Sequence, residues 1–354
     1  MLIINATIPY WRDTPHLLTD YAIYIENGVI QAIGPTEVLI YTYRDVARLD
    51  AFSQWVLAGN ICAHTHFHHA LIADMLHEDE IPHAERWLSH ALDRDALYWS
   101  AILCAMDAIK RGTTTLFNFH TSPTELEGSL ETIANALKLI GIRGVLTYSA
   151  NNTSRLSSKI NAHAENERFI QIAKQYDRVR SGAKIENKSV YMPRPFFNHP
   201  QHFRLNGIVD KSLTIGAERG KYDMWEEWRS AHHQLRQIEH ITPEDILNMG
   251  IANNAELLMQ VFPNQKFGDI SEGMTADLIF VDYQPRLPVY PENIAWHLLY
   301  GMESWMVDTT IIGGEVVMRH RHLMALDERD ILRQVRPQAQ KVWERFNALK
   351  QLGR

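Results

Sequence analysis

From Val56 to Ala150 the chain alternates apolar, β-branched runs with amphipathic helical stretches, and few architectures accept that rhythm. Val56–His64 is an apolar run that predicts a strand ending at His64. Asp95–Arg111 carries apolar Leu97, Ala101, Ile102, Ala105, Met106 and Ile109 and meets Gly112, which predicts a helix and its stop. Thr113–Phe119 is β-branched and apolar, hence a second strand. Ser122-Pro123-Thr124-Glu125 has the signature of a helix start, with Ser as N-cap, Pro at the first helical position and Glu closing a capping box. That helix would run toward Gly141, and Gly144–Ala150 would be the third strand. These regular strand–helix steps predict an α/β domain.

The regularity then fails. Residues 151–191 are polar, with one helix expected over Ala164–Tyr176. Strand-like sequence resumes weakly around Pro195–Asn198 and more clearly at Leu213–Gly216. Thr242-Pro243-Glu244-Asp245 starts another helix, and Glu328–Leu349 is helical and amphipathic. The two ends differ from the middle. Ala22–Ile30 holds an Asn27-Gly28 hairpin signal, and Ala276–Val281 and Thr309–Val317 are likewise rich in strand formers. The expected layout is a composite β-sandwich from residues 1–56 and 263–325, a (β/α) barrel domain over 57–262 and a C-terminal helix over 326–354.

Composition narrows the function classes. The chain has 354 residues, 45% hydrophobic and 22% charged, which is ordinary globular material. A net charge of −7 gives no basic surface for nucleic acid or anionic membrane. No run approaches the ~18 apolar residues of a membrane span, and Pro9, Arg12 and Asp13 interrupt the apolar start. Two cysteines, Cys62 and Cys104, make no disulfide framework. A reduced, cytoplasmic protein with a small-molecule partner is expected.

His64 and His66 carry the chemistry. They lie two residues apart at a strand end, so both imidazoles leave the same face. At the C-terminal end of a barrel strand that face opens into the mouth, where barrel enzymes keep their sites. Two imidazoles make half a site for zinc, iron, manganese or nickel. Beside them, His68 and His69 read as loop residues and Cys62 as packing.

Gly59-Asn60-Ile61-Cys62-Ala63-His64-Thr65-His66-Phe67 resembles the first barrel strand of the amidohydrolase superfamily. Ala108–Thr115, Gly128-Ser129-Leu130, Glu165–Ile170, Gly273–Ile279 and Trp343–Phe346 extend the resemblance to the SsnA-type aminohydrolases, near the chlorohydrolases and the cytosine and guanine deaminases. The resemblance implies a TIM-like barrel beside a small sandwich and a divalent metal, zinc first. Further ligands would come from histidines after the fifth and sixth strands and an Asp after the eighth, which also acts as base. Three protein ligands leave a position for water, which the metal activates for attack on a carbon that bears nitrogen.

Only part of that site carries over. Phe197–Gly207, with His199 and His202, corresponds to the seventh-strand segment. Gly216–Met224 corresponds to the eighth and places Glu218, one methylene longer than Asp, at the catalytic acid. About 45 residues separate the third strand from the seventh, whereas one βαβ unit takes about 30 or more. The resemblance therefore implies an internal deletion around residues 180–195 and an incomplete or rearranged barrel. His64 and His66 are the expected metal ligands, with His120, His199 and His202 as further candidates and Glu218 as the catalytic carboxylate. Two outcomes stay open. One is a metal-dependent hydrolase of C–N bonds, of aminohydrolase or deaminase type, with impaired activity. The other is an inactive relative whose site lacks its metal and whose role is binding or assembly. Strand edges exposed by a shortened barrel also point to a homo-oligomer.

Overall fold

The computed structural model describes residues 1–72, 75, 81–149, 156–183, 190–191, 204–205, 208–217 and 222–353. The N-terminal strands β1 (Leu2–Tyr10), β2 (His16–Glu26) and β3 (Val29–Pro35) form an antiparallel meander, followed by the short helix α1 (Thr36–Thr42). Asn27 and Gly28 both take positive φ, 52° and 76°, which gives the β2–β3 hairpin the twist its strands need. Strands β4 (Arg48–Asp50) and β5 (Trp55–Ala58) return parallel to β1.

The apolar run expected as one strand is two. It breaks at Gly59, where β5 ends and β6 (Asn60–Thr65) begins. A Cβ at Gly59 would lie 2.2 Å from the Thr114 methyl, so only glycine lets the chain pass from one sheet to the next there.

Strands β6, β7 (Thr113–His120), β8 (Arg143–Tyr148) and β9 (Val179–Ser181) form a parallel sheet in chain order. Nearly every residue of β7 is buried, as expected of a strand covered on both faces. Helices α2 (Ile81–Ala91), α3 (Arg94–Lys110), α4 (Ser129–Ile140) and α5 (Leu156–Ile172) lie between these strands in sequence. The side chain of Asp93 caps α3, accepting from Ala96 N at 2.9 Å. Ser122 does not start α4, contrary to the sequence expectation. Glu165 of α5 reaches across instead, its carboxylate accepting from Gly128 N at 3.1 Å and Leu130 N at 3.2 Å. A long-range carboxylate thus does the work the local capping box was expected to do, and the helix starts six residues later. Strand β9, a fourth step, was hidden by the polar composition around it.

Four two-residue strands follow: β10 (Val190–Tyr191) pairs parallel with β13 (Thr214–Ile215), and β11 (Arg204–Leu205) pairs antiparallel with β12 (Ile208–Val209). Helices α6 (Met224–Leu235), α7 (Pro243–Leu247) and α8 (Asn253–Met259) come next, and Thr242 and Asp245 form the expected capping box of α7. Asn254 of α8, fully buried, ties β13 to β6. Its amide donates to Ile61 O at 2.6 Å and Ile215 O at 2.8 Å and accepts from Ile215 N at 2.9 Å. Ala217 N donates to His64 O at 3.0 Å, so the first strand is flanked by β7 on one side and the β13 segment on the other.

The chain ends in β14 (Leu278–Val281), the one-turn α9 (Ile294–Trp296), β15 (Val307–Ile312), β16 (Glu315–Arg319), β17 (His322–Leu323) and α10 (Glu328–Gln351). Pairing of β14 with β5 joins both ends of the chain in one nine-stranded sheet. Ile3, Ile8, Ile23 and Val56 from one end and Leu278, Phe280 and Ile311 from the other share an apolar cluster. Arg143 of β8 pins the sheet to the parallel strands. Its guanidinium grips Asp277 at 3.1 and 3.0 Å with both partners nearly fully buried, and Gly313 N donates to the same carboxylate at 2.6 Å. Asp277 is the anchor of this joint. Among the described residues no helix is long and apolar enough to cross a membrane.

Candidate metal centre at the end of strand β6

Alternation along β6 sends His64 and His66 from one face, and their Nε2 atoms lie 3.1 Å apart. Strand β7 positions both rings. His64 stacks on Phe119 with centroids 4.6 Å apart, and His66 Nδ1 makes a short hydrogen bond to the Phe119 carbonyl. A donor role for Nδ1 leaves Nε2 of His66 as the lone-pair nitrogen, the usual way a ligating imidazole is held.

The next residues make a 3-10 turn, Phe67–Leu71, rather than a solvated loop. Phe67 N donates to Asn118 Oδ1 at 3.0 Å, His69 N to His66 O at 3.1 Å, and the Cys104 thiol to Phe67 O at 3.3 Å. The turn folds His68 and His69 inward, both fully buried. One nitrogen from each of His66, His68 and His69 lies within 4.8 Å of the others. Glu85 of α2 holds the pair, with its carboxylate 2.7 Å from His69 Nε2 and 3.4 Å from His68 Nε2. His120, at the end of β7, completes the group, its centroid 5.8 Å from that of His68.

Burial and close neighbours set the charge of two of these rings and of Glu85. Burial drives His69 down to about 4, against the pull of Glu85, and burial with neighbouring His68 and His66 drives His120 well below the usual histidine range. Burial opposes ionisation of Glu85, yet His69 and His68 outweigh it and hold the carboxyl well below the usual range. Neutral imidazole beside carboxylate is the form that binds metal. Two nitrogens each about 2.0–2.1 Å from one ion sit roughly 2.9–3.4 Å apart, from octahedral to tetrahedral angles, and the His64–His66 spacing falls in that window. His68 Nδ1 and His120 Nδ1 are buried without a hydrogen-bond partner, and such atoms are what an added cation would satisfy. The donor set fits a divalent cation.

Of the other expected candidates, His120 is the one that the described residues bring beside this group. His120 Nε2 is engaged by Ser122 Oγ at 2.7 Å. Glu218, His199 and His202 lie outside the described residues. Cys62 is buried, its thiol pushed up to about 12 by burial, so it packs. Asp223 caps α6, accepting from Glu226 N at 3.2 Å and from the Ser304 hydroxyl. His68, His69 and Glu85 were not expected here. The signal for the histidines was four imidazoles in six positions. For Glu85 it was a carboxylate bordering the apolar positions Ala84 and Leu88 of an amphipathic helix.

Residues 55–196 match the sequence profile of the amidohydrolase family. The chain carries an amidohydrolase domain. The chain is 23% identical to the 5-methylthioadenosine/S-adenosylhomocysteine deaminase of Pelotomaculum thermopropionicum, over 98% of its own length and 99% of the relative's. That alignment spans 444 positions against 354 residues here, so at least 90 positions have no residue in this chain, consistent with the expected deletion. The fold is similar to that of an adenosine deaminase from Xanthomonas campestris with bound zinc, with a TM-score of 0.74 at 15% identity over 97% of this chain and 98% of that one. It is also similar to atrazine chlorohydrolase from Arthrobacter aurescens TC1 complexed with zinc, with a TM-score of 0.67 at 14% identity over 96% and 99%.

Proposed function

We propose that the chain is a divalent-metal hydrolase of non-peptide C–N bonds in small molecules, of aminohydrolase or deaminase type, working below the rate of its longer relatives. The observation that carries this reading is the pair of Nε2 atoms 3.1 Å apart at the end of β6. The relatives' names supply the substrate class: adenosine-type nucleosides, whose ring amino group water displaces as ammonia. Zinc is the favoured ion, with iron, manganese or nickel as alternatives. When bound, the ion supplies Lewis-acid activation of water. The protein's part is to hold His64 against Phe119 and to fix the His66 tautomer through the Phe119 carbonyl. Glu218, in the position of the family's catalytic acid, is the proposed proton acceptor. His120, His199 and His202 are candidates to complete the ligand set.

The test is loss of ultraviolet absorbance on deamination of adenosine and 5′-methylthioadenosine by the zinc-loaded chain. Turnover that disappears in His64→Ala supports the reading. Zinc bound without turnover of any aminopurine favours a second one, an inactive relative with a binding or assembly role. The observation behind that second reading is the absence of at least 90 aligned positions. A chain that binds no transition metal overturns the metal hydrolase altogether.

A further inference from the structure

We propose that the chain completes its metal site from the first-strand side alone, with His68 and His69, oriented by Glu85, supplying the ligands that the resemblance assigns to histidines after the fifth and sixth strands. This inference rests on the reading that a metal binds at His64 and His66. Three observations carry it. The first is proximity: His66, His68 and His69 place one nitrogen each within 4.8 Å of one another, on a turn fixed to β7 by Asn118 and to α3 by Cys104. Ligands about 2.0–2.1 Å from a shared ion lie no more than about 4.2 Å apart, so side-chain rotations of some tenths of an ångström close the set.

The second is orientation. Glu85 bonds Nε2 of His69 at 2.7 Å and lies 3.4 Å from Nε2 of His68, so it stands behind both rings. A carboxylate behind an imidazole is the arrangement that fixes a ligand's tautomer and raises its basicity. The third is an unmet bond. His68 is fully buried, yet its Nδ1 has no hydrogen-bond partner, a state proteins avoid unless something else satisfies the atom. A histidine retained only for packing would be expected to satisfy both nitrogens.

The experiment is zinc affinity of the full chain, measured by competition with a chromophoric chelator and combined with zinc-edge X-ray absorption on the loaded wild type. His68→Ala and His69→Ala are each expected to weaken zinc binding by about 100-fold, and Glu85→Gln by roughly 10- to 100-fold. His16→Ala, which removes an exposed ring on β2 away from the site, is expected to change it by less than about 3-fold. The absorption spectrum needs no variant to fold, and at least three imidazoles around the zinc support the proposal. Two or fewer imidazoles overturn it. So do folded His68→Ala and His69→Ala proteins that keep wild-type affinity while His64→Ala loses zinc, an outcome that leaves the metal-hydrolase reading standing. A wild type that takes up no zinc removes both.

Discussion

At the scale of single residues, burial decides which side chains are reactive. Cys62 is held protonated by burial, and Cys104 is buried beside Tyr222 with its thiol likewise pushed up. Both thiols are therefore expected to resist an aromatic disulfide reagent at pH 8 in the folded chain and to react in step with global unfolding. Rapid labelling of the native protein would contradict this. The linkage sign follows. A thiol whose folded pKa is raised contributes stability that is complete below its unfolded value of about 8.5 and is lost as pH climbs toward 12. Urea midpoints falling above about pH 9, and falling less in Cys62→Ala, would report it. Of the candidate site, His64 and His66 were legible because strand periodicity alone puts them on one face. Glu85 was not, since nothing local tells that a carboxylate sixteen positions beyond His69 folds back onto it.

At the scale of elements, the joint between β6 and the β13 segment leaves little room. A Cβ on Gly216 would stand 2.5 Å from the His64 Cβ and 2.8 Å from its backbone nitrogen. Gly216→Ala is expected to push the segment off the strand, destabilise the fold by about 1–3 kcal/mol as overpacked cores do, and weaken metal binding. Unchanged unfolding midpoint and zinc affinity would contradict it. Asn254→Ala removes the partners of Ile61 O, Ile215 O and Ile215 N, for an expected loss of about 3 kcal/mol measured by denaturant unfolding. Strands and helices with local signals were legible: the Asn27-Gly28 hairpin, Thr113–His120 and the Thr242 cap. Ser122 misled because Glu165 outcompetes a local cap from another helix, and its hydroxyl goes to His120 and the Glu125 carbonyl instead. Strand β9 escaped because three residues in a polar stretch carry no periodicity.

At the scale of the molecule, both chain ends share one sheet, and Arg143–Asp277 couples it to the strands that carry the histidines. The guanidinium also lies over Phe262 and Phe267, 5.1 and 4.8 Å from their centroids. Asp277→Asn leaves a buried cation unpaired and is expected to cost about 3–5 kcal/mol. Thermal unfolding monitored by circular dichroism would show a large drop in Tm, and an unchanged Tm would refute the joint. The composite of terminal strands was legible in composition, whereas the pairing of β5 with β14 was not, because the break at Gly59 depends on the contact with Thr114.

The proposed function needs a catalytic metal at these histidines. Elemental analysis of the purified, zinc-reconstituted chain tests it most directly. About one tightly held divalent ion per chain, lost in the His64→Ala/His66→Ala double variant, is the result predicted. A folded wild type holding less than about a tenth of an ion per chain would contradict it.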